Sequence, residues 1–264
     1  MTEQSDRLVL VERRGAAAVV TLNRPERMNA LSRALVAEFG AAGRALAQQS
    51  DLRLVIVTGA GDKAFCAGAD LKERSTLSQE AVRALLEAYE TELGWLETLP
   101  VPTLAAINGV ALGGGLELAL LCDFRIAAEN ALLGLPETSL GVIPGAGGTQ
   151  RLPKLIGEAR AKELILRAAR LSAPEALVLN LVHQVMPRGS DLLLESLAWA
   201  QPMLEGAPLA IRAALAVVRS ATTRELRAGL ELERRAYEVC LNSEDRLEAL
   251  AAFSQKRKPI FKGK

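Results

Sequence analysis

The apolar residues of the first half of the chain fall into two alternating patterns. Residues 8–11, 17–22, 54–58 and 103–107 form short, nearly unbroken apolar runs with the length and β-branched content of buried strands. The first two flank a turn at Arg14-Gly15, and Asn23-Arg24-Pro25 ends the second. Over 32–48, Leu35, Val36, Phe39, Ala42 and Leu46 recur at helical spacing, with Ser32 placed to cap the helix. Residues 79–96 repeat that spacing. A helix is expected from the triple glycine 113–115 to about Leu121, then short strands at 124–127 and 132–135. From Arg151 the pattern turns mainly helical, over 159–167, 174–179, 192–204, 209–220 and 223–240. A last amphipathic stretch carries Leu247, Leu250 and Phe253 and ends in the basic tail KRKPIFKGK.

Strands that alternate with helices predict an α/β core with mostly parallel pairing, to which the helical last quarter is appended. At 264 residues the chain is long enough to bury a substantial core. The net charge of +1 provides no global attraction for nucleic acid or membrane, so an anionic ligand must be met by a local patch. Cys66, Cys122 and Cys240 show no paired spacing and suit a reducing compartment, two of them as core residues. The segment MTEQSDRLVLVERRG lacks the apolar centre of a secretory signal, and no uncharged apolar run reaches about 18 residues. A cytoplasmic protein without a membrane span is expected.

Candidate chemistry concentrates in three places. Gly59-x-Gly61-x-x-Ala64 follows a strand and imitates a dinucleotide fingerprint, but Gly68 would interrupt the helix that must open there, so this reading is set aside. Gly113-Gly114-Gly115 precedes a helix whose first N–H groups lack intrahelical partners. It is either a tight packing turn or a site for a carbonyl oxygen that becomes anionic. Glu117 lies in LELALL, where its apolar neighbours leave little room for a polar face, and burial there requires partners or protonation. Glu137, ahead of Gly145-Ala146-Gly147-Gly148, is by itself a turn residue; beside Glu117 it becomes half of an acid–base pair. Phe65 to Leu71 is rich in small residues, with Asp70 placed to cap the next helix. His183 is the only histidine and lies in an apolar segment, which argues against a Ser–His triad or a histidine-based metal site.

KAFCAGADLKE (63–73), NGVALGGGLELALLCDFRIA (108–127) and LPETSLGVIPGAGGTQRLP (135–153) together resemble the crotonase, or enoyl-CoA hydratase/isomerase, superfamily. NRPERMNALS and the tail are similar too, and the likeness runs over nearly the whole chain. The resemblance implies a spiral of ββα units over 1–200 and a helical region over 201–264 that builds trimers, commonly paired into hexamers. It implies oxyanion-hole N–H groups at Ala69 and Gly114, catalytic carboxylates at Glu117 and Glu137, and a backbone donor to the reacting water at Gly145. Coenzyme A, as part of an acyl-CoA substrate and not as a separate cofactor, would lie along Arg24, Arg27 and Ala30 and along Ala67, Gly68, Asp70 and Leu71. Lys256 of a neighbouring subunit would help with its phosphates. No metal is implied.

Two glutamates favour a hydratase in fatty-acid β-oxidation over an isomerase, since isomerases of the superfamily often keep only the later one. ADLKER and the tail are most similar to methylglutaconyl-CoA hydratase-like proteins. Some of those bind RNA through lysines of the first long helix, and residues 32–48 contain none.

Overall fold

The computed structural model describes residues 7–264; the start of the segment read for a secretory signal, residues 1–6, lies outside them. The chain opens with β1 (Val9–Arg14) and β2 (Ala17–Leu22), an antiparallel pair, and α1 (Arg33–Ala47). β3 (Leu54–Gly59), β4 (Ala64–Cys66), α2 (Leu71–Arg74), α3 (Gln79–Leu93) and α4 (Trp95–Thr98) follow. Next come β5 (Thr103–Ile107), β6 (Val110–Leu112), α5 (Gly114–Leu121), β7 (Phe124–Ala128) and β8 (Leu132–Gly134). Then α6 (Gly148–Ile156), α7 (Glu158–Leu166), β9 (Arg170–Ser172), α8 (Ala173–Val178) and β10 (Gln184–Met186) close the core. Four helices end the chain: α9 (Leu192–Glu205), α10 (Pro208–Ser220), α11 (Leu226–Leu241) and α12 (Glu244–Ser254).

Each turn of the chain gives one strand to each of two sheets. The larger sheet has the order β1-β2-β3-β5-β7-β10 and is parallel from β2 onward; the smaller has the order β4-β6-β8-β9. β3 hands over to β4, β5 to β6 and β7 to β8, which is a spiral of repeated units. The large sheet is covered on both faces, and this explains its unbroken apolar strands. Val55 and Val57 point into the main core, while Leu54 and Ile56 face a second cluster closed by α9 through Leu193, Leu197 and Trp199. α9 therefore crosses position 200 as part of the core, whereas α10 and α11 contain no buried residue.

One difference from the sequence reading concerns an element. Residues 79–96 are not one helix: α3 ends at Gly94, whose N–H bonds Glu90 O, and the chain turns into α4. The turn lets Trp95 stack against Phe39, with ring centroids 5.1 Å apart, and buries Leu96. The apparent dinucleotide fingerprint runs from β3 into β4 with no helix, as the position of Gly68 predicts.

Candidate active site

Two segments expected to meet coenzyme A are joined by backbone and side-chain bonds. Ala67 N–H donates to Met28 O, Leu31 N–H to Gly68 O, and Asp70 N–H to Leu31 O. Asn29, fully buried at φ 55°, accepts from Arg24 N–H and donates to Ala60 O and Ala64 O. The Arg24 guanidinium donates to Ala30 O and, at 3.0 Å, to Asp70 Oδ2. Arg24 thus holds the 24–30 loop against 67–71 and has little charge left to offer outward, whereas Arg27 is exposed. Asp70 also caps α2, accepting from Lys72 and Glu73 N–H. Burial alone would raise its pKa, but the Glu73 N–H, Arg24 and the Lys72 N–H outweigh that and hold it below the ordinary value.

This zipper sets Ala69 beside the start of α5. A Cβ built on Gly68 would lie 3.3 Å from Gly114 N, and one built on Gly114 would lie 3.7 Å from Ala69 N. Neither N–H donates to a protein acceptor among the described residues. Gly113 reaches this arrangement at φ 52°, and a side chain there would meet Glu137 Oε1 at 2.9 Å. The triple glycine is therefore a close approach that keeps two donors open, rather than only a packing turn.

Both carboxylates reach the same cavity, of about 880 Å³, which Ala67, Gly68, Ala69, Gly113, Gly114 and Gly145 also line. Glu117 is 2% exposed; its Oε1 accepts from Ala146 N–H at 2.8 Å and Gly148 N–H at 2.7 Å. Burial raises its pKa, against the pull of those two donors, the charge of Arg151 and the Gly145 N–H. Glu137 stands in a single 3-10 turn (Glu137–Leu140) anchored where Thr138 Oγ1 donates to Ile165 O. Its Oε2 is buried without a partner, and burial, with Glu117 nearby, pushes its pKa up to about 7. One carboxylate is held as an acceptor and the other is poised to carry a proton at neutral pH. With two donors for a developing oxyanion, the set suits proton transfer and water addition next to a carbonyl.

Several residues of the site escaped the sequence reading. Ala146 and Gly148 act through backbone N–H groups, which carry no side-chain signal. Tyr89 is 5% exposed with an unpartnered hydroxyl, and Arg74 adds a positive charge that works against the rise at Glu137. Lys256, beyond α12 at φ 53°, is exposed and does not line this chain's cavity. His183 packs edge-on against Phe124 and Trp199 and accepts the Arg125 N–H at Nδ1, a structural role. No cluster of three potential metal ligands exists among the described residues.

The profile of the enoyl-CoA hydratase/isomerase family matches residues 12–264. The chain belongs to the enoyl-CoA hydratase/isomerase family. It is 49% identical over 253 residues to an enoyl-CoA isomerase/hydratase of Mycosarcoma maydis, covering 93% of this chain and 92% of that one. To the mitochondrial methylglutaconyl-CoA hydratase of Mus musculus it is 40% identical over 257 residues, covering 96% and 82%. The crystal structure of an enoyl-CoA hydratase from Bacillus anthracis superposes with a TM-score of 0.95 at 46% identity, covering 98% of this chain and all of that one. The spiral described above is the crotonase fold of this enoyl-CoA hydratase/isomerase family. No helix among the described residues is long and apolar enough to cross a membrane.

Proposed function

We propose that this family member is an enoyl-CoA hydratase. The observation that carries the reading is the contrast between its two carboxylates: Glu117 fixed by two backbone donors, Glu137 unpartnered at Oε2 with a pKa near neutrality.

The thioester carbonyl accepts from Ala69 and Gly114 N–H, each donor contributing roughly 2.7–4 kcal/mol as charge moves onto the oxygen. Glu117 takes a proton from a water, whose oxygen bonds to C3, and the Gly145 N–H helps hold that water. The electron pair of the double bond moves toward the carbonyl, and C2 takes a proton from Glu137. Proton exchange with solvent then returns both glutamates to their starting states.

Coenzyme A runs along the joined 24–30 and 67–71 segments. Arg27 is its exposed cation there, and Lys256 of a second copy assists. The acting form is a homotrimer or a pair of trimers. The compartment is the reducing cytoplasm, where the buried thiols of Cys66 and Cys122, both pushed up to about 12 by burial, stay unreactive. The pathway class is acyl-CoA breakdown.

A double-bond isomerase on the same scaffold is the second reading. In that reading Glu137, with its pKa pushed up to about 7, moves a proton between two carbons by itself. One assay separates them: crotonyl-CoA is mixed with the protein and loss of the conjugated thioester absorbance is followed. Glu117→Gln and Glu137→Gln should each slow hydration by about 10²–10⁴-fold. A wild-type protein that binds crotonyl-CoA without hydrating it, or a Glu117→Gln variant at full speed, sinks the hydratase.

A further inference from the structure

The acceptor role of Glu117 depends on a backbone cradle, and the cradle itself is held from outside. Ala146 and Gly148 N–H reach Glu117 because the chain passes through Gly147 at φ 96°. Arg151, in the first turn of α6, donates from Nη1 to Ala146 O at 2.9 Å, on the peptide that links the two donors. A Cβ on Gly147 would meet Arg151 Nη1 at 1.8 Å, so the bare glycine is what admits the guanidinium. Glu97, at the other end of α4, grips the same guanidinium with both oxygens, Nε to Oε1 at 2.7 Å and Nη2 to Oε2 at 2.6 Å. An ordinary surface ion pair would be a sufficient account if the geometry ended there. It does not. A cation in the first turn of a helix opposes the helix dipole, and this one spends its remaining donor on the carbonyl behind the Glu117 cradle.

We infer that the Glu97–Arg151 pair is a positioning latch: it fixes the 146–148 peptides so that their N–H groups converge on Glu117 and keep that carboxylate aimed at the water. Arg151 and Glu97 do not touch substrate; they act through the cradle. This rests on the hydratase reading for its catalytic consequence but not for its effect on Glu117. The charged and titratable groups around Glu117 are Arg151 from α6, Glu137 from its turn and Tyr89 from α3, with Glu97 and Glu90 acting on Arg151. Loss of the Arg151 charge and of the fixed donors both raise the affinity of Glu117 for a proton.

The test is an infrared titration of Glu117 without substrate, read as the difference between each protein and the same protein carrying Glu117→Gln. Arg151→Gln should move that titration to higher pH, and Arg151→Lys, which keeps the charge but not the fork, should move it less. With crotonyl-CoA, Arg151→Gln should lower kcat by roughly 10- to 100-fold with little change in KM, and Arg151→Lys should recover part of it. If Arg151→Gln does not fold, Glu97→Gln, which leaves the guanidinium in place, should shift the titration the same way by less. A folded Arg151→Gln or Glu97→Gln protein with an unmoved Glu117 titration overturns the latch. A wild-type protein with no hydratase activity would overturn the function while leaving the infrared result to decide the latch.

Discussion

At the scale of single residues, the strongest claim concerns Glu137. Its folded-state pKa is raised from 4.5 to about 7, with burial as the main cause and Glu117 adding to it. Between those values the folded protein binds more protons than the unfolded chain. Any stability tied to this group is therefore fully present below about 4.5 and is lost as pH rises through about 7. Glu137→Gln removes the titration, so the variant should gain on the wild type as pH rises from about 5 to about 8. The difference should be roughly 1 kcal/mol after allowance for water at the cavity mouth. Thermal melts across that range check it, and parallel curves for the two proteins would contradict the raised pKa. On the proposed mechanism Glu137 gives its proton to C2, so kcat/KM for hydration should decline above about pH 7. The two carboxylates are coupled, so the value read belongs to the pair.

At the scale of elements, α5 is held at both ends. Its first N–H groups face the cavity, and its last carbonyls are met by Arg125, a side chain 2% exposed. Arg125 donates to Cys122 O at 2.7 Å, to Ala119 O at 3.3 Å and to Leu181 O at 2.8 Å. It makes no ion pair among the described residues; burial lowers its pKa, and the helix C-terminus and three carbonyls take the place of a counter-ion. Arg125→Met should destabilise by about 2–4 kcal/mol, because it strands buried carbonyls and not because it removes a charge. Chemical denaturation measures this, and a change below about 1 kcal/mol would show that water replaces the contacts. Arg125 was not legible in FRIA, which reads as a plain buried strand. Glu117 was legible because a carboxylate amid LELALL has no polar face to occupy. β2, β3 and β5 were legible because burial on both faces makes their apolar runs continuous. β4, β6, β9 and β10 have three residues each, too short to show a period. The helical pattern was legible only from Arg151, although α6 already starts at Gly148, because the glycines before it carry no periodic signal.

At the scale of the whole molecule, the last three helices leave large apolar side chains exposed. α10 and α11 contain no buried residue, yet Val218 is 69% exposed, Leu226 78%, Tyr237 63% and, on α12, Phe253 86%. Apolar side chains exposed in such number along adjoining helices mark an association surface. The occupant we propose is a second copy of this chain, in keeping with the trimer implied by the family resemblance. Light scattering on the eluting protein should then give three or six times the chain mass. If the proposed assembly covers Phe253, Phe253→Asp should cost about 2–4 kcal/mol per interface and shift the protein to smaller species at micromolar concentration. If the neighbour's Lys256 meets coenzyme A, dissociation should also raise KM for the thioester. Lys256→Ala should raise KM while the assembly keeps its mass. A monomeric wild type would remove both the trimer and the shared phosphate contact. A Phe253→Asp monomer with unchanged KM would keep the assembly but return the whole coenzyme site to one chain, leaving Arg27 as its exposed cation.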